Sequence, residues 1–159
     1  MGIGFQLINV NSGKCLTVVG EALGDNAGLI QKTCTREPAY RWQFIPVLLT
    51  GTFVIQNVKS HKCLTVAGDG SADNDFAVQY TCDGATARHW QLRQPAGVPH
   101  SLPMSDAQLV NAHSDKCLTI AGGAAGENAV AVQYACDGNR SRRWTVRIVA
   151  GPIFDESDD

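Results

Sequence analysis

The six cysteines of this 159-residue chain stand at positions 15, 34, 63, 82, 117 and 136, so that each successive pair is separated by the same 19 positions. Six cysteines can pair in many ways, but a spacing repeated three times selects one local bridge per segment. It predicts the disulfides Cys15–Cys34, Cys63–Cys82 and Cys117–Cys136. Zinc is the competing use of paired cysteines, but it calls for Cys-x-x-Cys or His at short spacing, and neither occurs here. No metal and no other cofactor is expected. Three such clasps suit an oxidising compartment, which makes a secreted, extracellular protein the expectation. The chain opens Met1-Gly2-Ile3-Gly4-Phe5, without a basic or long apolar stretch, so a signal peptide is absent from it, either removed or never present.

Aligning the chain on its cysteine pairs brings a tryptophan into register: Trp42, Trp90 and Trp144 each lie 27 residues after the first Cys of their segment. Within this gapless window of 28 columns, eight are identical in all three copies. They are Cys15-Leu16-Thr17, Cys63-Leu64-Thr65 and Cys117-Leu118-Thr119, then Gly20/Gly68/Gly122, Asn26/Asn74/Asn128, Gln31/Gln79/Gln133, the second Cys and the Trp. Upstream, Lys14, Lys62 and Lys116 precede the first Cys, and Asn9, Asn57 and Asn111 lie six residues before it. The chain therefore reads as three copies of one unit, at about 3–48, 51–96 and 105–150, within a single domain over 1–150. A linker over 95–103 carries three prolines, which discourage both helix and interior strand. Residues 151–159 form an acidic tail, expected to be disordered.

Charge narrows the partners. Thirteen basic against fifteen acidic groups give a net charge of −2, and four of the acids (Asp155, Glu156, Asp158, Asp159) lie in the tail. A nearly neutral body has no field to hold nucleic acid or an anionic membrane, and no run of 18 apolar residues offers a membrane span.

Each unit contains short apolar or β-branched runs, such as Phe53-Val54-Ile55, Cys63-Leu64-Thr65-Val66, Ala77-Val78-Gln79-Tyr80 and His89-Trp90-Gln91-Leu92. Between the second and third runs lie Gly-, Ala-, Asp- and Asn-rich turns, and no stretch holds a helical period over three turns. The prediction is all-β, with four short strands per unit. Three units are too few for a propeller. None can bury its apolar face alone, so they must close around a shared pseudo-threefold axis as a twelve-strand barrel capped by hairpins at one end. The Trp, and the Leu after the first Cys, would form its core.

The pattern Lys-Cys-Leu-x-Val/Ile, then Val/Ile-Gln-x-x-Cys, then x-x-Trp, given three times, resembles the ricin-B-type (R-type, QxW-like) lectin domain of secreted bacterial proteins. The resemblance covers about residues 3–150 and implies a β-trefoil with one disulfide per repeat and one shallow carbohydrate pocket per repeat. A pocket of that family uses an Asp two residues after the first Cys, an aromatic platform two residues before the second Cys, and an Asn-Gln pair just ahead of the Trp. A sugar ring offers a C–H face to the aromatic ring and hydroxyls to the carboxylate and amides.

Carried over by position, the aromatic is Tyr80 in the second unit and Tyr134 in the third, but Lys32 in the first. The Asp position holds Thr17, Thr65 and Thr119, and the Asn-Gln positions hold Ala39-Tyr40, Ala87-Arg88 and Ser141-Arg142. Gln79 and Gln133 sit three before the second Cys, where many members of the family place that Gln four before it. Since side chains alternate along a strand, that one-residue difference leaves two directions open for both tyrosines, outward as platforms or inward. Compensation is available from the acidic column Asp25, Asp73 and Glu127, each immediately before the shared Asn, whose other reading is a turn-forming pair. Arg88 and Arg142, with Arg140 and Arg143, would suit acidic sugars, their other reading being a solvated or cation–π neighbour of the Trp.

The candidate carbohydrate-binding residues are thus Thr65, Asp73, Asn74, Tyr80, Arg88, Thr119, Glu127, Asn128, Tyr134 and Arg142. No catalytic residue is expected: His61, His89, His100 and His113 are scattered, and neither Gly-x-Ser-x-Gly nor His-Glu-x-x-His occurs. The function expected is a lectin whose partners are glycans, galactose-type or other neutral sugars first and acidic sugars second. The alternatives are a degenerate trefoil scaffold holding a protein partner in a toxin or adhesion complex, and a carbohydrate-targeting module of a larger glycoside hydrolase.

Overall fold

The computed structural model describes residues 2–94 and 102–151, with the side chains of residues 2, 3, 150 and 151 left undescribed. Most of the linker and of the acidic tail lies outside the described residues. Twelve strands follow in order: β1 (Gly2–Asn9), β2 (Cys15–Val18), β3 (Leu29–Lys32), β4 (Trp42–Val47), β5 (Thr52–Asn57) and β6 (Cys63–Val66). They continue with β7 (Ala77–Tyr80), β8 (His89–Arg93), β9 (Met104–Asn111), β10 (Cys117–Ile120), β11 (Ala131–Tyr134) and β12 (Trp144–Gly151). Each repeat thus holds four strands, and the only helical elements among the described residues are three-residue 3-10 turns.

Six strands close a barrel, since β1 pairs with β4, β4 with β5, β5 with β8, β8 with β9, β9 with β12 and β12 with β1, all antiparallel. Closure removes the free edges that an open sheet of short strands would present. The hairpins β2–β3, β6–β7 and β10–β11 cover one end, joined to one another by bridges from Gly28 to Val78, Ile30 to Val130 and Phe76 to Val132. This is a β-trefoil, with its repeats related by a pseudo-threefold axis.

The strands β2, β6 and β10 are buried along their whole length, which explains why they read as continuous apolar runs and not as alternating ones. Leu16, Leu64, Leu118 and all three tryptophans are fully buried, and each indole donates to the backbone carbonyl of its repeat's Leu at 2.9–3.1 Å. The indole N–H thus finds its partner within the core. Phe5, Phe44 and Phe53 meet edge to face in the lower barrel, at centroid distances of 5.5 and 5.9 Å. All three predicted disulfides are formed, with Cα separations of 5.0–5.2 Å, and each closes a loop short enough to contribute about 3 kcal/mol through the unfolded state. Gly20, Gly68 and Gly122 take φ of 59–64°, a left-handed turn that glycine enters without strain.

The remaining repeated columns join one repeat to the next. The fully buried Gln79 donates through Nε2 to the carbonyls of Ala22 and Gly24 in the first repeat, while its Oε1 accepts from Ser60. Gln133 grips Gly70 and Ala72 in the same way, and Gln31 grips Ala124 and Gly126. The Asn beside each gripped turn sits at φ 68–72° and sends its backbone N–H to the carbonyl of that Gln, at 2.7–2.8 Å. The chain of contacts runs from the first repeat to the second, to the third and back to the first.

Replacing Gln79 with Ala leaves the Ala22 and Gly24 carbonyls and the Ser60 hydroxyl without their partner. A loss of about 3 kcal/mol in unfolding free energy is expected by denaturant titration.

Candidate functional site

Two concavities of about 260 Å³ each occupy equivalent places in the second and third repeats. The second-repeat pocket is lined by Thr65, Asp69, Tyr80 and Arg88, and the third-repeat pocket by Thr119, Gly123, Tyr134, Ser141 and Arg142. A larger hollow of about 440 Å³ beside Phe53, Leu92 and Met104 shares no lining residue with either.

The strand register decides the tyrosines. Leu64 pairs with Gln79 and Cys63 with Tyr80, as Leu118 pairs with Gln133 and Cys117 with Tyr134. The glutamines turn into the core and are fully buried, so their neighbours Tyr80 and Tyr134 face outward, half-buried, into the pockets. The alternation that placed the tyrosines in doubt works in their favour, because the Gln is the residue the inter-repeat clamp needs inside.

The ring of Tyr80 carries the guanidinium of Arg88 at 4.6 Å from its centroid, and that of Tyr134 carries Arg142 at 4.5 Å. Each pocket is therefore built on a tyrosine and arginine stacked together, a cation–π arrangement in which the arginine side chains are only 7% and 13% exposed. Asp69 and Asp83 pair with Arg88 at 2.9 and 3.0 Å, and Asp137 lies 3.3 Å from Arg142. None of these three aspartates was among the expected residues. The signal was there: an Asp stands 20 residues after the first Cys in the two tyrosine-bearing repeats, whereas the first repeat has Thr35.

The threonines are committed to the framework. Thr17, Thr65 and Thr119 are buried and donate at 2.8–2.9 Å to the carbonyls of Ala39, Ala87 and Ser141. The same three carbonyls accept a second bond from Asn57, Asn111 and Asn9 of the adjoining repeat. Thr65 and Thr119 thus line the pockets with their hydroxyl hydrogens already engaged.

The acidic column and its asparagines act one repeat away from where they sit in the chain. Asn26 lines the second-repeat pocket and Asn74 the third, so each pocket borrows an exposed amide from the preceding repeat. Asp73 accepts from the backbone N–H of Ala135 at 3.1 Å and pairs with Lys116 at 3.1 Å. Asp25 takes the amide and hydroxyl of Thr81, and Glu127 takes those of Thr33 at 2.7 Å. Glu127 and Asn128, whose Oδ1 lies 3.4 Å from the Lys32 ammonium, therefore belong to the first repeat's hairpin and not to the pocket of Tyr134.

In that first repeat Lys32 replaces the tyrosine, and Tyr40, at the arginine position, is buried against Cys15 and Ala39. Burial, with Glu37, Glu21 and Glu127 adding to it, raises the Tyr40 phenol above its ordinary pKa. Among the described residues, no group of three or more His, Cys, Asp or Glu is placed to hold a metal ion. No helix among them is long and apolar enough to cross a membrane.

A threefold barrel of this register, capped by disulfide-clasped hairpins, agrees with the comparison to known proteins. The sequence profile described as ricin-type β-trefoil lectin domain-like matches residues 41–102 and 98–154. The chain belongs to this family. Among solved structures, the ricin-type trefoil is similar to the designed threefold-symmetric protein ThreeFoil, with a TM-score of 0.83, 24% identity and coverage of 91% of this chain and 97% of that one. It is similar also to an exo-β-1,3-galactanase from Clostridium thermocellum, with a TM-score of 0.85, 23% identity and coverage of 94% of this chain but 31% of the galactanase. The agglutinin of Rhizoctonia solani superposes with a TM-score of 0.78 at 14% identity, covering 92% of this chain and 94% of the agglutinin. No curated protein sequence matches the chain.

The Thr33 hydroxyl, then the Thr33 amide, Lys14 and Lys32 together hold the Glu127 carboxyl below the ordinary glutamate pKa, against a smaller opposing effect of desolvation. A depressed folded-state pKa contributes stability that is complete above the unfolded value and is lost as pH falls through the folded one. Thermal melts over roughly pH 3 to 6 are expected to show a smaller acid-side loss of Tm for Glu127→Gln than for the wild type.

Proposed function

We propose that this trefoil is a lectin that binds carbohydrate through the Tyr–Arg pockets of its second and third repeats. The observation that carries the reading is the repetition of one open, polar and aromatic hollow at two equivalent places, where the first repeat has Lys32 and the buried Tyr40 in place of the tyrosine and arginine. A tyrosine at the mouth gives a sugar a C–H stacking surface. Asp69, Asp83, Asn26 and Asn74 offer acceptors and donors to ring hydroxyls, a role the family resemblance assigned to an Asp two after the first Cys.

The carboxylate that family pocket requires has thus moved. In the second repeat it comes from Asp69, after the left-handed Gly68, and from Asp83, beyond the disulfide. A hydroxyl donating to an ionised carboxylate makes a bond stronger than one to a neutral oxygen, which favours neutral sugars with vicinal hydroxyls there. Galactose-type sugars are the first candidates. Shallow hollows bind weakly one at a time, but two on one rigid barrel gain strength on a multivalent glycan surface.

A second reading has a specific observation in its favour. The chain spans about a third of the galactanase it resembles, the arrangement expected if this trefoil serves as a carbohydrate-targeting module of a larger glycoside hydrolase. In both readings the trefoil itself binds sugar without transforming it.

A glycan array tests the proposal. Tyr80→Ala and Tyr134→Ala are each expected to weaken binding to a subset of glycans about tenfold or more, and the double variant to abolish it. Binding that survives both substitutions in a folded protein rules out the tyrosine platforms.

A further inference from the structure

The second and third repeats carry the same stack of arginine on tyrosine, yet the two arginines are satisfied very differently. Arg88 makes four hydrogen bonds: to Asp69 at 2.9 Å, to Asp83 at 3.2 Å, to the Thr81 carbonyl at 3.2 Å and to the Thr65 hydroxyl at 3.4 Å. Arg142 makes one, to the Ser141 hydroxyl at 3.3 Å. Its Nε is buried without a hydrogen-bond acceptor, since Asp137 stands 3.3 Å away but out of alignment. A guanidinium carries five N–H donors and cannot shed its charge, so withdrawing it from water with a single bond is costly unless something else supplies acceptors.

The difference traces to one column. Six residues after the first Cys the second repeat has Asp69 and the third has Gly123. The two share a left-handed backbone, with φ of 54° and 64°, so an aspartate is compatible with this turn. A Cβ placed on Gly123 would meet nothing nearer than the Ser141 hydroxyl at 3.8 Å. Where the second repeat holds a carboxylate against its arginine, the third holds open space within the pocket, bordered by Thr119, Asn139, Ser141 and Arg142.

We infer that the third-repeat pocket takes the anionic substituent of an acidic sugar, a carboxylate or a sulfate, seated on Arg142 where the Asp69 carboxylate lies in the second repeat. The inference rests on the lectin reading and divides its two sites by charge, the second repeat for neutral sugars and the third for acidic ones. The planar guanidinium fork matches a carboxylate or sulfate edge, and a partly buried, charge-assisted contact is stronger than one to a neutral hydroxyl. Asp137 alone leaves the third pocket less negative than the second, which has two aspartates on its arginine.

The experiment is an array of matched galactosides with and without sialic acid, uronate or sulfate, read for the wild type, Gly123→Asp and Asp69→Gly. The wild type is expected to hold the charged members about tenfold better than their neutral counterparts, the sialylated and uronate arms against the sulfated arm showing which anion fits. Gly123→Asp is expected to remove that preference and leave neutral binding in place, and Asp69→Gly to add a second charged-sugar site. If Gly123→Asp fails to fold in thermal melts, the gain in Asp69→Gly decides. Charged members bound no better than neutral ones, or a preference untouched by Gly123→Asp, overturn the inference. Neutral binding that depends on Tyr80 would in that case leave the lectin reading standing, while an array silent for every member overturns both.

Discussion

The structure depends on polar groups that no repeat can satisfy from its own residues. The carbonyl of Ala39 receives Thr17 from its own repeat and Asn57 from the next, and the carbonyls of Ala87 and Ser141 are shared in the same way. The buried glutamines span the same boundaries nearer the axis. Each such bond contributes only about 1 kcal/mol net, but a buried partner left without it costs more than that. A single repeat would expose these donors and acceptors together with the inner face of its hairpin. Three repeats close the ring, with the third repeat's Ser141 carbonyl receiving Asn9 of the first.

This explains which parts of the fold were legible in the sequence. The equal cysteine spacings, the tryptophan in register and the short apolar runs predicted the disulfides, the core and twelve strands, because each is a local pattern repeated three times. The polar columns were harder. Thr, Asn and Gln held identical in every copy resemble a ligand set, but identity across repeats follows from a contact that symmetry requires three times. The acidic column reads locally as a turn or a pocket lip. Its true partners, Thr81, Ala135 and Thr33, lie 56, 62 and 94 residues away, beyond the reach of any local pattern.

The register of Tyr80 and Tyr134 shows the same division. Counting residues back from the second Cys left their direction open, since one step along a strand reverses a side chain. The burial of Gln79 and Gln133 settles it, and that burial is a demand of the inter-repeat clamp. The pocket therefore inherits its outward-facing tyrosine from the framework.

Function is accordingly to be sought in the columns where the repeats differ. Lys32, Tyr80 and Tyr134 form one such column, Tyr40, Arg88 and Arg142 another, and Glu21, Asp69 and Gly123 a third. In the second and third repeats these positions line the hollows, and they supply neither the glutamine clamp nor the shared carbonyls, so they can change while the barrel stays closed. The first repeat uses this freedom to bury the ring of Tyr40 against Cys15 and Ala39 at the arginine position. The second uses it to neutralise a buried arginine with two carboxylates, and the third leaves its arginine one carboxylate short. Between the second and third repeats the glycine in place of an aspartate is the one change in these three columns. It removes a carboxylate from the hollow, and in a partly desolvated site a charge acts more strongly than it would in water.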